Sequence, residues 1–342
     1  MATKHLTINK KIEVGKEATN AWGTAVAPTQ KMMGVTDVSI TPLVTVEQIK
    51  DMRGDYNPSR ESLVRQVGGE ATVEGWMSYE QSPYVFDAFF WHTDSDVGMT
   101  TDASGDATRV YYSPTHASDV KDTRVQTIVH GDVGVSSDVI NVINLAGATM
   151  KGLELTGEIG SPLTYRANYI GKQVSTDTFA NVADTDVDYV LGGHLNLLYI
   201  DPGSDGIGNT KTSDIMFSFN LSLDNGREID RHMGDFAPKG YKDNPFSGTL
   251  NLVLELTSVS EPYLDAIISA TDKGVEKNVR MKFLSDSDYI QIDFCGVVVD
   301  APDLYTDVDG VMTADFTLTG QKTSGTSDWL GVTLFNHVPS LT

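Results

Sequence analysis

The segment Phe217-Ser-Phe-Asn-Leu-Ser-Leu223 places an apolar side chain at every second position, with serine and asparagine between them. A period of two with one apolar face is typical of a β-strand that is buried on one side. The same alternation returns in four further segments, which run from Leu163 to Tyr169, Leu250 to Leu256, Ile290 to Phe294 and Met312 to Leu318. The sequence therefore predicts a mainly β chain.

Two short segments have a helical pattern instead. Ser82–Phe90 and Ser260–Ile268 each begin with serine, which suits an N-cap, and each has proline within the first helical turn. Their apolar residues recur at helical spacing and are predicted to pack on the core. These predicted helix core residues are Phe86, Phe89, Leu264, Ile267 and Ile268.

The two helical segments belong to a longer internal repeat. Its matches lie about 180 positions apart and keep their order along the chain. They pair Leu43 with Leu223, Ile49 with Ile229, Gly54 with Gly234, Asp55 with Asp235, Tyr56 with Phe236, Pro58 with Pro238, Gly69 with Gly248, and Pro83-Tyr84 with Pro262-Tyr263. The repeat predicts two tandem copies of one β-rich domain.

The domain boundaries follow from composition. We expect a first domain over residues 1–200, with an N-terminal arm and a polar insertion near 93–122, and a second domain over 214–342. The Gly- and Asp-rich segment 201–213 between them lacks an apolar pattern and is predicted to be a linker.

Composition excludes several classes of function. The net charge of −22 argues against binding nucleic acid through a general basic face. Cys295 is the single cysteine, lies in an apolar strand pattern and is predicted to be buried. No N-terminal apolar segment typical of a secretory signal and no apolar stretch long enough to span a membrane is present.

No motif in the sequence indicates catalysis. A Gly-x-Ser-x-Gly elbow, a P-loop and a His-Glu-x-x-His motif are all missing. The segment Asp184-Thr-Asp-Val-Asp188 begins like a calcium loop, but Tyr189 stands where the turn needs glycine and Leu195 where the loop ends in glutamate. We therefore expect no enzyme activity, no metal and no cofactor.

The remaining candidates for function are two long polar segments, Asp51–Gly68 and Asp230–Ser247, predicted to be loops. Irregular loops of this length are usually functional or disordered. We hypothesise that their cations dock on acidic surfaces of adjacent subunits, because arginine pairs well with carboxylates. The predicted assembly residues are Arg53, Gly54, Asp55, Tyr56, Pro58, Arg60, Arg65, Arg231, Gly234, Asp235, Phe236, Pro238, Lys239 and Lys242.

The N-terminal run Glu13-Val-Gly-Lys-Glu-Ala-Thr-Asn-Ala-Trp-Gly-Thr-Ala25 resembles the openings of tail tube proteins of long-tailed, siphovirus-type bacteriophages. The order that follows is also similar: a loop around Arg53-Gly54-Asp55, a strand through Glu70–Tyr79 and then the Ser82–Phe90 helix. The resemblance is diffuse and covers most of the chain.

This resemblance implies β-sandwich domains, each with one short flanking α-helix, whose inward sheets join between subunits into a β-barrel. It also implies rings that stack into a tail tube, a conduit for DNA ejection in which DNA passes without specific binding. A two-domain chain would form trimeric, pseudo-hexameric rings. Partners would be further copies and other tail proteins (tape measure, terminator, baseplate), with assembly in the bacterial host cytoplasm and no membrane.

Two other classes of function remain open. The chain could be another virion component, such as a tail terminator, a baseplate hub or a capsid decoration protein. It could also be a β-sandwich module that binds carbohydrate or a receptor, which predicts an exposed aromatic platform. The four tryptophans, at positions 22, 76, 91 and 329, are far apart in the sequence and argue against such a platform.

Overall fold

The structure of the chain is a computed structural model. It describes residues 10–338 with gaps at 18–21, 50–60, 91–99, 102–105, 114–124, 133–141, 213–214, 234, 259, 262–264, 266–273, 287, 299–302 and 309. The described residues form mainly antiparallel β-structure, which confirms the mainly β class predicted from the alternation and the β-sandwich class implied by the resemblance.

The described residues of the first part of the chain form ten strands and one α-helix. They are β1 (Lys10–Lys16), β2 (Gln30–Lys31), β3 (Val35–Ile49), β4 (Glu61–Trp76), α1 (Ser82–Phe89), β5 (Thr100–Thr101), β6 (Ala107–Tyr112), β7 (Gln126–Asp132), β8 (Val142–Glu158), β9 (Thr164–Gly171) and β10 (Gln173–Thr176).

After a 3-10 turn at Gly192–His194, the described residues form eleven further strands. They are β11 (Leu195–Pro202), β12 (Lys211–Thr212), β13 (Met216–Asp224), β14 (Glu228–Asp230), β15 (Gly240–Lys242), β16 (Ser247–Glu255), β17 (Val275–Ser285), β18 (Asp288–Val298), β19 (Asp303–Val308), β20 (Val311–Gly320) and β21 (Leu330–Asn336).

Eight strands from both parts of the chain form one antiparallel layer, which we call the shared sheet. Its order is β3, β4, β9, the C-terminal part of β8, β13, β16, β20 and β19. The pair β8–β13 lies at its centre and joins the two parts of the chain.

Two further groups of strands pack against the shared sheet. In the first part, β2, β1, β7, the N-terminal part of β8 and β10 are paired in that order. In the second part the order is β12, β11, β17, β18, β21, β6 and β5. Strand β8 passes from one layer to the other near Gly147, whose φ of +70° is one that glycine adopts without strain.

The core lies between these layers, and it contains the alternating residues that predicted the strands. Phe219, Leu221 and Leu223 are each at most 3% exposed, and the residues between them face solvent more. The same holds for Leu250, Leu252 and Leu254 in β16, so the period of two identified the buried face correctly.

Helix α1 covers the predicted segment but begins differently. Its N-cap is Gln81 without a side-chain cap, and Ser82 is the first helical residue, with its hydroxyl donating to the Tyr79 carbonyl. Phe86 and Phe89 are fully buried. In the second helical segment Glu261 and Asp265 have helical backbone, whereas Leu264, Ile267 and Ile268 lie outside the described residues.

Within the segment 201–213, which was expected to be an irregular linker, a buried carboxylate holds a turn. Asp201 and Pro202 belong to β11, which pairs with β17 of the second part. The Asp201 carboxylate accepts hydrogen bonds from the backbone N–H groups of Gly208, Asn209 and Thr210, at 2.6 to 3.1 Å. Composition did not reveal this turn because its order depends on one aspartate that is buried only in the folded chain.

The insertion near 93–122 was expected to be a surface loop, but its described part contains a strand that joins the second part of the chain. Strand β6 pairs along β21, with Tyr112 opposite Gly331 and Ala107 opposite Asn336. Arg109 is 5% exposed and donates to the Asn336 side chain and the Val338 carbonyl. The strand forms here because it pairs with an otherwise open edge of β21.

Candidate assembly surfaces

The open face of the shared sheet is polar and acidic. Its side chains alternate with those of the core, so they point away from the sandwich. Arg166 lies among the acids, with its Nε 3.1 Å from a Glu74 carboxylate oxygen. Among the residues whose side chains are described, the carboxylates on this face include Asp37, Glu70, Glu74, Glu154, Glu158, Asp224, Glu255 and Asp315.

The two edges of the shared sheet are formed by β3 and β19. Among the described residues, each pairs with a strand on one side alone, β3 with β4 and β19 with β20. An edge strand presents unpaired N–H and C=O groups and is a template for another chain. These edges are therefore candidate surfaces for lateral association.

The central junction β8–β13 shows how two such edges fit together. Leu221 lies opposite Leu155, and both are fully buried. On the open face, Asn220 Nδ2 donates to Glu154 Oε1 at 2.8 Å and to Thr156 Oγ1 at 3.0 Å. Backbone pairing, a buried leucine pair and a polar side-chain network together hold this junction.

The hairpin β14–β15 folds onto the first part of the chain. Val67 in β4 donates its N–H to the Phe236 carbonyl at 3.1 Å and accepts a bond from Arg231 Nη1 at 2.9 Å. Tyr241 packs edge-on against Trp22, with ring centroids 6.3 Å apart. The hairpin is thus docked on a body to which it is not adjacent in sequence.

Arg227, at the base of this hairpin, is fully buried. Its Nη1 donates to the Ala88 and Met150 carbonyls at 3.0 Å and to Thr149 Oγ1 at 3.1 Å. Its Nε lies 3.3 Å from the Asp243 carboxylate. Burial lowers the pKa of the guanidinium to about 10, so it remains charged at neutral pH.

The predicted loops contain more regular structure than expected. Glu61–Gly68 belongs to β4, and Arg65 therefore lies in a strand. In the second loop, β14 and β15 pair with each other and Lys242 lies in β15. Neither segment shows the alternation that burial on one face imposes, so its strands leave no period of two in the sequence.

The cations of the second predicted loop have partners within the chain. Arg231 binds the Val67 carbonyl, Lys239 lies 3.3 Å from Asp235, and Lys242 lies 2.9 Å from Glu228. Pro238 is buried and Phe236 is 65% exposed. The predicted residues Arg53, Gly54, Asp55, Tyr56, Pro58, Arg60 and Gly234 lie outside the described residues.

Sequence reasoning missed the residues that join the two parts of the chain. Asn225 donates to the Met150 carbonyl at 2.6 Å and, with Arg227, fills the space between α1 and β8. Their signal was a polar Asn-Gly-Arg run directly after an apolar strand, which is also typical of an ordinary turn.

Glu17 is a second buried polar centre, next to the N-terminal strand. Its carboxylate accepts hydrogen bonds from Gly23 N, Gly147 N and Thr127 Oγ1, at 2.7 to 2.8 Å. Burial raises the pKa of Glu17, although these hydrogen bonds act in the opposite direction. Its place between a glycine turn and the bend in β8 indicates a structural role.

Other kinds of site receive no support from the described residues. No cluster of His, Cys, Asp or Glu with metal-binding geometry occurs in that part of the chain, and no helix there could span a membrane. Asp184 pairs with Lys31, and Asp188 accepts a hydrogen bond from Ser285. Trp22, Trp76 and Trp329 pack on different aromatic neighbours, so these three do not form one platform.

Comparison with known proteins gives one family. A comparison with curated protein sequences finds no match. The family model described as "Phage tail tube protein" matches residues 7–320, nearly the whole chain, including the shared sheet and both of its edges. The chain belongs to the phage tail tube protein family.

Proposed function

We propose that copies of this chain close into rings through the two edges of the shared sheet, and that the rings stack into a tail tube through which DNA passes. Family membership makes the chain a structural component of the virion tail, which implies a non-enzymatic role. The observation that supports the ring is the junction β8–β13, where the chain already pairs two edges of this kind.

The first support is that the two parts of the chain have matching registers, as expected for a duplicated domain. Val38 pairs with Val73 as Phe219 pairs with Leu252. Ala71 pairs with Tyr169 as Leu250 pairs with Leu318. Leu155 pairs with Tyr165 as Leu304 pairs with Ala314.

These registers refine the repeat found in the sequence. Pro42 lies opposite Gly69, and Leu223 lies opposite Gly248, so Pro42 rather than Leu43 corresponds to Leu223. Strands β1 and β2 likewise correspond to β11 and β12 by their pairing. We therefore place the start of the second copy at Leu195, before the segment expected to be a linker.

The second support is that the open edges are complementary. In this correspondence β3 matches β13, and β19 matches the C-terminal part of β8. An edge like β13 is thus open at one end of the shared sheet and an edge like β8 at the other. Repeating the β8–β13 junction places Ile40 of one copy opposite Leu304 of the next, and Ser39 opposite Thr306. Repetition of one contact between different surfaces generates a ring if it closes.

The number of strands favours three copies. Three shared sheets give 24 strands, and a barrel with strands about 4.8 Å apart and tilted by about 40° is then roughly 48 Å wide between strand axes. Removing about 5 Å of side chain on each side leaves an opening of roughly 38 Å. Two copies leave about 22 Å, which gives a DNA duplex no room for water.

The acidic open face would line this opening. Carboxylates repel phosphates over about 8 Å at physiological salt, and an excess of acids disfavours the Arg and Lys contacts on which DNA binding depends. DNA would therefore pass without adhering. The stacking of identical rings, the other tail proteins as partners, a siphovirus-type tail and assembly in the host cytoplasm are parts of the same proposal.

The test combines electron microscopy with a cross-link. In the variant Ser39→Cys/Thr306→Cys, oxidation should join neighbouring copies and give covalent products up to a closed trimer. Thr72→Cys/Thr306→Cys is the matched control, because Thr72 lies away from the edge and should give no such product. Rings with a central hole are expected by negative stain. Compact monomers without cross-links under assembly conditions would refute the proposal.

A further inference from the structure

The far ends of β3 and β4 form a two-stranded arm that extends beyond the sandwich. Val44 and Val46 on β3 are 54% and 52% exposed, and Val64 on β4 is 44% exposed. Leu63, which is 49% exposed, lies opposite Glu47 and therefore faces the other side of the arm. Val46 lies directly opposite Val64. Several exposed large apolar side chains close together are unusual on a soluble protein and indicate a surface that another molecule covers.

The arm has the same register as the hairpin β14–β15. Glu47 pairs with Leu63 in the arm, and Glu228 pairs with Lys242 at the matching positions of the hairpin. These positions match once the register change after Thr45 is counted. The correspondence of β3 with β13 and of β4 with β16 therefore continues to the base of both hairpins. It matches Val44 with Asn225, Val46 with Arg227, and Val64 with Asp243.

The matching residues of the second hairpin are buried. Asn225 and Arg227 are both 0% exposed, because the hairpin is seated on α1 and β8 of the first part. The Asp243 side chain is 8% exposed and pairs with Arg227. One face of this element is therefore covered in the second copy and exposed in the first.

We propose that the arm face, formed by Val44, Val46 and Val64, packs on the second part of a neighbouring copy of the chain. This contact would be equivalent to the one that Asn225, Arg227 and Asp243 make with the first part of the same chain. This inference rests on the proposed ring. Around such a ring, the second part of the neighbouring copy precedes β3, just as the first part precedes β13 within one chain. The occupant of the apolar face is thus a second copy.

The chemistry of the receiving surface supports this partner. Ile170 in β9 and Thr319 in β20 occupy matching positions in the two parts of the chain. Ile170 pairs with Thr149, and Thr319 pairs with Val297. Val297 therefore corresponds to Thr149. Val297 is half-buried and stands in the second part where Thr149 stands in the first.

Each receiving surface then has the same polarity as the hairpin face that packs on it. Arg227 donates to the Thr149 hydroxyl at 3.1 Å within the chain. Val46, in the place of Arg227, would meet Val297, in the place of Thr149. Valine on valine buries apolar surface without leaving a polar group unsatisfied. An arginine packed against Val297, or a valine packed against Thr149, would lack this match in polarity. The match therefore also selects which part of the chain receives which hairpin.

The first experiment compares Val46→Asp with Thr45→Asp. Both add one negative charge to β3, but Thr45 lies on the opposite face, which matches the exposed side of the second hairpin. Val46→Asp should raise the protein concentration needed for ring formation roughly tenfold or more, because a charge would be buried without a partner. Thr45→Asp should assemble like the wild type, and both monomers should melt like the wild type.

The second experiment transplants the internal contact. Val46→Arg alone should block assembly, and Val46→Arg/Val64→Asp/Val297→Thr, which recreates the buried ion pair and the hydroxyl acceptor, should restore it in part. If wild-type chains form rings and Val46→Asp forms them equally well, the seat of the arm is refuted and the ring stands. If wild-type chains form no rings, the proposed function fails first. If Thr45→Asp blocks assembly as strongly as Val46→Asp, the assigned face is wrong.

Discussion

Replacing Arg227 by methionine tests whether a buried cation holds the two parts of the chain together. Methionine fills a similar volume but removes the hydrogen bonds to Ala88, Met150 and Thr149. It also leaves the Asp243 carboxylate buried without its guanidinium partner. The perturbation therefore removes one charge and strands another in a region that excludes water.

The expected loss in the free energy of unfolding is about 3–5 kcal/mol, the range typical of removing one partner from a buried ion pair. The second change in Arg227→Met/Asp243→Leu removes the stranded charge, so the double variant should recover a large part of that loss. Lys242→Met is the matched control. It removes one cation from the same hairpin, but the Lys242–Glu228 pair is exposed and its loss should not be measurable.

The assay is chemical denaturation of the three variants, with hydrogen exchange of the β14–β15 backbone as the local measurement. Arg227→Met should lower the unfolding free energy and speed exchange in this hairpin, where Glu228, Ile229 and Asp230 pair with β15. A loss of less than about 1 kcal/mol, comparable to an ordinary surface substitution, would refute the reasoning. So would a double variant that is less stable than Arg227→Met.

Two further predictions concern charge. Burial raises the pKa of Glu17 above 4.5, so its contribution to stability is complete below pH 4.5 and is lost as the pH rises through its folded pKa. As the pH rises from 4.5 to neutral, the denaturation midpoint of Glu17→Gln should therefore increase relative to that of the wild type. A difference between the two midpoints that does not change with pH would contradict this assignment. Reversing Glu70 and Glu158 to lysine on the open face should make assembled particles retain DNA in a salt-dependent manner, measured by co-sedimentation. Glu261→Lys, exposed outside the shared sheet, should not.

The strands of the core were predictable because burial on one face leaves a pattern in every such strand. Leu221 and Leu252 follow from alternation alone, and Cys295 in β18 follows from its apolar neighbours. The polar strands β14 and β15 were not predictable in this way. They pair with each other in a hairpin that packs on another part of the chain, and this arrangement imposes no period of two on their sequence. The position of Ser82 was also not predictable. Ser82 was expected to be the N-cap of α1, but its hydroxyl donates to the Tyr79 carbonyl and the helix has Gln81 as its N-cap.

The sequence by itself determined the β-rich class, the acidic balance and the resemblance to tail tube proteins, and it predicted the repeat, because these depend on residue type and spacing. Only the tertiary structure decided that the two parts share one sheet, which edges remain open and which face carries the acids. Those properties depend on register and on contacts between residues far apart in sequence, such as Leu155 with Leu221 and Arg227 with Ala88. A single chain does not encode such contacts in any local pattern, because each partner alone is compatible with many others.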